Sequence, residues 1–259
     1  MIADLAVETR GLRRTFGAVL AVDGIDLAVP RGSLFGFLGV NGAGKSTTIR
    51  CLTGLLRPTD GTMRLLGLDP EADPVGVKRL VGVLPEDLAL FDKLSGVDHL
   101  TLVGRVHRLP GETVKARSRE LLALMDLERA ARSPVADYSH GMRKKLSLAA
   151  ALLPAPRLLF LDEPFEGIDA VASRQIRDLL QDYVRGGGTI FLTSHVLEIV
   201  ERLCDHLAVV HRGKLVAQGP ASALRAGAEG RTLEEIFMGL VGAGERPLSR
   251  LAWLCAPNP

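Results

Sequence analysis

Residues 34–47 read Leu-Phe-Gly-Phe-Leu-Gly-Val-Asn-Gly-Ala-Gly-Lys-Ser-Thr, a short apolar run that leads through Gly39 and Gly44 into Lys45 and Ser46. No other stretch constrains the chain as much. The pattern G-x-x-x-x-G-K-[ST] has a mechanical basis: its glycines let successive backbone N–H groups converge on phosphate oxygens, Lys45 reaches the β- and γ-phosphates, and the Ser46 hydroxyl can ligate Mg²⁺. Context adds to the match. An apolar strand is expected over 34–38 and a helix over 46–52, which would set the bound anion at a helix N-terminus. Gly39, Asn41, Gly42, Ala43, Gly44, Lys45, Ser46 and Thr47 are thus the candidate nucleotide-binding residues. A glycine-rich turn with a stray lysine is the bland alternative.

A chain of 259 residues can bury a sizeable core and suits one α/β domain with a small subdomain. Its formal net charge of +2 supplies no global basic field, so nucleic acid is not expected as a partner. Cys51, Cys204 and Cys255 are scattered thiols without metal or disulfide spacing, which fits a reducing compartment and structural burial. Residues 1–8 lack a basic segment followed by an apolar one, and the apolar stretch 146–161 is broken by Pro154, Pro156 and Arg157. Neither secretion nor a bilayer span is therefore expected.

Strand character over 5–10 and 25–29, punctuated by Gly17 and Gly24, predicts an early antiparallel β element. Phe16 within it is either a core anchor or a face for stacking on a planar ring. Further strands are expected over 62–66 and 80–84, with turns over 67–74 between them. The pattern then turns helical from about 91 to 131, interrupted at Pro110-Gly111, and Ser139 is suited to cap another helix running to 153. This region reads as a helical subdomain, and its charge cluster around Lys115 to Glu120 as a solvated face.

The next strand, over 157–161, ends in Asp162-Glu163-Pro164. Carboxylates at the end of a buried strand are costly unless they serve a cation or a water, and ligands bind at such strand ends in open α/β sheets. A helix over 171–184 follows, stopped by Gly186 to Gly188, and a strand over 189–193 delivers Ser194 and His195 to the same edge. That shared placement favours a functional His195 over a structural one. A hairpin is expected over 207–218, and a helix over 233–241 ahead of a proline-containing tail.

Taken in order, these segments resemble the ATP-binding subunits of ABC transporters over nearly the whole chain, 5–242. Residues 39–46 resemble the Walker A loop, 158–162 the Walker B strand with Glu163 directly after it, and 138–142 the signature sequence. Residues 167–170 resemble the D-loop, His195 the switch histidine, and Phe16 the adenine-stacking aromatic. Residues 81–90 and 233–242 further resemble the branch that works with ABC-2 type permeases, many of them exporters.

The resemblance implies a P-loop NTPase core with an N-terminal antiparallel β-subdomain, a helical subdomain inserted at about 91–153 of a domain spanning 1–242, and a tail over 243–259. It also implies roles. Lys45 and the loop would hold ATP, with Ser46 and Asp162 positioning Mg²⁺. Glu163 would activate water, His195 would contact the γ-phosphate, and Ser139 and Gly141 would complete the site of a second subunit in a homodimer or heterodimer. Separate ABC-2 type permease subunits would dock near the groove at 86–104, which places the chain at the cytoplasmic face of the membrane. Two positions depart from the family pattern. His140 replaces the usual glycine of the signature, with function expected to survive. Glu86 stands at the Q-loop glutamine, where it is either a metal-side acceptor or a solvated acid. The rival is a soluble ABC-type ATPase acting on ribosomes or DNA, and a third reading is a nucleotide-binding scaffold without turnover. The short 46–162 interval argues against the rival, and the presence of both Glu163 and His195 argues against the third.

Overall fold

The computed structural model describes residues 4–226 and 233–240. Its N-terminal part is an antiparallel sheet centred on a 12-residue strand, β1 (Leu5–Phe16), which pairs with β2 (Val19–Ile25) and β3 (Ala28–Pro30). The expected strand over 25–29 is therefore two strands, because the Thr9 hydroxyl accepts from Leu27 N–H at 2.8 Å and donates to Ile25 C=O at 2.7 Å at the break between them. After β4 (Leu34–Leu38) and α1 (Lys45–Leu52), β5 (Asp60–Leu65) returns to pair with β1.

Next come α2 (Pro74–Leu80), β6 (Val81–Leu84), and the helices α3 (Gly96–Val106), α4 (Gly111–Leu124) and α5 (His140–Leu152). The sequence reading missed α2. Its start signal was present nonetheless: Pro74 stands at the first position and Asp73 accepts from Gly76 N–H at 2.8 Å. The break expected at Pro110-Gly111 is real, as Pro110 ends the α3–α4 connection and its carbonyl accepts Val114 N–H of α4 at 3.0 Å. Helices α3, α4 and α5 pack on one another, and α5 also packs on β6.

The second sheet is completed by β7 (Leu158–Asp162), α6 (Ala170–Arg185), β8 (Thr189–Ser194), α7 (Leu197–Leu203), β9 (His206–His211) and β10 (Lys214–Pro220). Its strand order is β10-β9-β4-β8-β7-β6, parallel except for β10. Two helices, α8 (Ala221–Ala226) and α9 (Leu233–Leu240), end the described chain. The tail over 243–259, with Trp253 and Cys255, lies outside the described residues. Helices α7 and α8 were also unread, each being too short to show a helical period over two full turns.

Strands β4, β7 and β8 are buried along their whole length, as expected of parallel strands covered on both faces. Alternate residues divide between two cores. Leu34, Leu38, Leu159, Leu161, Ile190 and Leu192 face the layer containing α5, α6 and α7, whereas Phe35, Phe37, Phe160 and Phe191 face α1 and the antiparallel sheet. The four phenylalanine rings meet around Phe191, with centroids 5.3–5.5 Å from it. All four rings belong to the parallel sheet and line its face toward the antiparallel sheet, in one core with residues of β1 and β2; the parallel pairing of β4 and β7 with β8 sets their C-terminal ends side by side. The α/β P-loop architecture read from the sequence is the one observed. Among the described residues, no helix is long and apolar enough to cross a membrane. Cys51 and Cys204 are buried and free.

Phe191 is fully buried at the junction of the two layers. Phe191→Ala is expected to lower the unfolding free energy by about 3–5 kcal/mol, measured by urea denaturation, through lost burial and the cavity left among the remaining rings.

Candidate nucleotide site

The loop after β4 turns back over the strand ends and opens α1, and two of its glycines are required by close approach. A side chain at Gly39 would lie 2.7 Å from the Val210 carbonyl oxygen, and one at Gly44, whose φ is +105°, would lie 2.5 Å from that of Ala21. The loop is pinned from outside by a backbone relay, in which Gly213 N–H donates to Ala43 C=O at 2.9 Å and Asp23 N–H donates to Gly213 C=O at 2.8 Å. Through this relay the N-terminal hairpin and the β9–β10 turn hold the phosphate loop in place.

A cavity of about 390 Å³ opens above the loop. Asn41, Gly42, Gly44, Lys45, Ser46 and Thr47 form one wall. Glu86, Glu163, Glu166 and His195 form the other. Gly39 and Ala43 stand behind the first wall. Gly39 presents its carbonyl to Lys45 Nζ at 2.8 Å, and Ala43 is buried. Lys45 itself is buried, with its ammonium 3.3 Å from Glu163 Oε1.

The acidic wall is held by a residue that the sequence reading passed over. The Thr193 hydroxyl, at the end of β8, donates to Asp162 Oδ1 at 2.5 Å and accepts from Glu163 N–H at 3.1 Å. It thereby aligns both carboxylate-bearing residues at once. Glu163 occupies the left-handed region at φ +49°, which costs about 1–3 kcal/mol and persists only where surrounding contacts over-determine it. Its Oε2 lies 3.0 Å from His195 Nδ1, and its Oε1 is buried and accepts no hydrogen bond within the described structure. At 3.3 Å the Lys45 contact to that oxygen is an ion-pair approach without hydrogen-bond alignment. The side chain therefore offers an unfilled acceptor beside the loop.

Asp162 is only 3% exposed and lies beneath the cavity. Burial pushes its carboxyl above the usual carboxylate range; the hydrogen bond from Thr193 and the nearby Ser46 hydroxyl pull the other way, and the charges of Glu86 and Glu163 raise it again. The Ser46 hydroxyl donates to Glu86 Oε2 at 3.1 Å. Glu86 is exposed, and its carboxylate is turned toward the phosphate loop.

Three expected site residues lie elsewhere. Phe16 is 43% exposed at the tip of the β1–β2 hairpin, with the Arg14 guanidinium 4.5 Å from its ring centroid, and it is not a core anchor. Ser139 caps α5 by accepting Met142 N–H at 3.2 Å, and Gly141 follows it; both are outside this cavity. His140 lays its ring against Gly167, where a side chain would meet its Cδ2 at 2.7 Å. The signature-like turn and the D-loop-like turn are therefore in contact within one chain.

Thr193 was read only as part of an apolar strand, yet a hydroxyl at the last turn-facing position before Ser194-His195 was a usable signal. Lys144 was missed as well. It falls four residues before Leu148 on the buried stripe of α5, where a charge is out of place.

A phosphate loop at the head of a parallel sheet, faced by a Lys-paired glutamate and a buried aspartate, defines a P-loop nucleotide hydrolase. The comparisons narrow this class. The ABC transporter family matches residues 22–166. The daunorubicin resistance ATP-binding protein DrrA3 of Streptomyces coeruleorubidus is 39% identical over 236 residues, 91% of this chain and 75% of the relative. The Nod factor export ATP-binding protein I of Ralstonia nicotianae is 40% identical over 215 residues, 83% of this chain and 66% of the relative.

A solved ATP-binding subunit of an ABC transporter superposes with a TM-score of 0.86 at 31% identity, covering 91% of this chain and 99% of that one. A dimeric ATP-binding cassette with ADP and Pi, at 20% identity and a TM-score of 0.77, shares the fold over 83% of this chain and 98% of that one. This chain belongs to the ABC transporter family and is an ATP-binding subunit with ATPase activity. Such subunits dimerise and work with membrane permease subunits. The alternative of a ribosome- or DNA-acting ATPase finds no support among these relatives.

Thr193→Val keeps the shape but leaves Glu163 N–H and Asp162 Oδ1 without their partner. It is expected to cost about 1–3 kcal/mol in urea unfolding and to slow phosphate release, with Thr193→Ser restoring both.

Proposed function

We propose that this chain hydrolyses MgATP within a head-to-tail pair of ATP-binding subunits and drives export through ABC-2 type permease subunits, at the cytoplasmic face of the membrane. The observation that carries the proposal is the Glu163 carboxylate, gripped at one oxygen by His195 and left with an unfilled acceptor at the other, on the wall opposite the phosphate loop. The names of the relatives, daunorubicin resistance and Nod factor export, support the export direction. The pair is either a homodimer or a heterodimer.

The residues fit Mg²⁺. Ser46 and Asp162 would hold it with Glu86 on its outer side, an all-oxygen set suited to a hard cation. Burial disfavours the charged form of the Asp162 carboxyl, and a cation beside it would favour that form. When bound, Mg²⁺ would supply positive charge to offset that of the phosphates.

The protein's own groups do the rest. Loop N–H groups and Lys45 bind the β- and γ-phosphates, and the exposed Phe16 ring stacks on the adenine. Glu163 Oε1 accepts a proton from water as the water oxygen bonds to the γ-phosphorus. The bond from that phosphorus to the β–γ bridging oxygen breaks, and ADP departs. His195, oriented by Glu163 Oε2, donates to the γ-phosphate from its other ring nitrogen. Ser139 and Gly141 of one subunit close over the nucleotide of the other, so ATP favours the closed pair by contacting both faces. On this reading the ATP-binding domain spans 1–242, the helical subdomain is the insert at about 91–153, and 243–259 is a tail.

Glu163→Gln is expected to lower kcat by about 100-fold or more while retaining ATP and an ATP-dependent dimer, read by phosphate release and size-exclusion chromatography. Unchanged turnover would remove Glu163 from the mechanism. Lys45→Ala is expected to weaken binding of a fluorescent ATP analogue, and EDTA to abolish phosphate release; full affinity in the variant, or full activity in chelator, would reject the corresponding assignment.

A further inference from the structure

One buried charge is not used by this mechanism. Lys144 lies one turn inside α5, is 2% exposed, and belongs to the helix whose N-cap is Ser139. Lysines are almost never this buried unless their ammonium is fully engaged. Its Nζ donates to the carbonyl of Glu163 at 2.5 Å and to that of Glu166 at 2.8 Å. Both acceptors belong to the turn that carries the hydrolytic carboxylate and leads to Gly167. Burial lowers the tendency of Lys144 to stay protonated, and the charges of Glu166, Glu163, Glu86 and Asp162 oppose that loss.

The Glu163 residue is therefore fixed on both sides of its Cα. Thr193 of β8 accepts its N–H, and Lys144 of α5 donates to its C=O. Such bracketing accounts for the left-handed backbone at this non-glycine residue. The two brackets differ in origin. Thr193 belongs to the parallel sheet, whereas Lys144 belongs to α5, which packs on α3 and α4 as well as on β6. A displacement of the N-terminal turns of α5 would move the Lys144 bracket and leave that of Thr193 in place. The His140 ring against Gly167 is a second contact between the start of α5 and the same turn.

We infer that Lys144 is a positioning residue for hydrolysis: it couples the placement of the signature-bearing helix to the orientation of the Glu163 carboxylate in the same chain. Engagement of Ser139 and Gly141 at the partner's nucleotide then reports, through one turn of α5, on this chain's own readiness to activate water. The inference rests on the reading of Glu163 given above.

The test uses the full chain. Lys144→Met removes the charge and both hydrogen bonds at similar volume, Lys144→Gln keeps an N–H donor, and Lys145→Met controls for loss of a neighbouring charge on the same helix. The Lys144→Met variant is expected to lose roughly 10–100-fold in kcat with KM for ATP within about threefold, as for a misplaced catalytic group. Lys144→Gln is expected to recover part of the loss, and Lys145→Met to stay within about twofold of the parent chain. Combining Lys144→Met with Glu163→Gln should produce little further decrease, because both act on one group.

A change confined to KM, or a Lys144→Gln variant as slow as Lys144→Met, overturns the inference. So does an additive double variant. If Lys144→Met does not fold, Lys144→Gln decides alone: lowered kcat with unchanged KM supports the inference, and parental kcat overturns it. Unchanged turnover in Glu163→Gln instead overturns the underlying reading of Glu163, and that result is independent of every Lys144 variant.

Discussion

Two adjacent carboxylates, Asp162 and Glu163, are held out of water at the end of β7, and much of the surrounding structure serves to make that arrangement tolerable. Isolated buried anions are costly enough that they neutralise or pull in partners. Here the partners come from four elements. Thr193 is supplied by β8, Lys45 and Ser46 by α1, Lys144 by α5, and His195 by the segment after β8. Their convergence requires the parallel order β4-β8-β7, whose three strands are also packed together by the phenylalanine rings on the face toward the antiparallel sheet. Core packing and catalytic geometry are thus one problem in this fold, and Phe191 sits three positions before His195's neighbour Ser194 on the strand that links them.

How much of this was legible in the sequence follows from how each signal is encoded. The phosphate loop, the Asp162-Glu163 strand end and His195 are local patterns, and each stood out because a polar or glycine-rich cluster directly follows a short apolar run. The central strands were equally readable, being continuously apolar. Helices α2, α7 and α8, of six or seven residues, give no such periodicity, and α2 carries only its Asp-Pro start as a signal, which went unread. Thr193 and Lys144 were hidden for a different reason. Their roles arise from contacts 30 and 19 residues away, so neither carries a local mark beyond being polar on a buried face.

The start of α5 shows how a departure from the family pattern can be absorbed. In place of the usual first glycine of the signature, His140 lays its ring over Gly167, which has no side chain to oppose it and whose φ of +70° suits glycine. Ser139 still caps the helix, and Gly141 remains open, with only the Gly167 carbonyl, at 3.7 Å, near the position a side chain would take. The substitution therefore tightens a contact between two turns of one chain and leaves the hydroxyl and the following glycine on the outer surface.

Glu86 raises the opposite question, since it adds a carboxylate where the family uses an amide. Around the cavity and the turn beneath it stand Glu86, Asp162, Glu163 and Glu166, against the ammonium groups of Lys45 and Lys144. Counted formally, the acids outnumber the bases, and each carboxylate near Asp162 raises the cost of ionising it. A bare triphosphate entering such a site would meet repulsion from the acidic wall, while the loop N–H groups and Lys45 attract it from the other side. A divalent cation carried with the nucleotide reverses the sign on the acidic side, and the Ser46 hydroxyl, already bonded to Glu86, sits where both walls meet. On the function proposed above, an amide at that position would sense the ion through a neutral dipole, whereas Glu86 would make the acceptance of nucleotide depend on the accompanying charge.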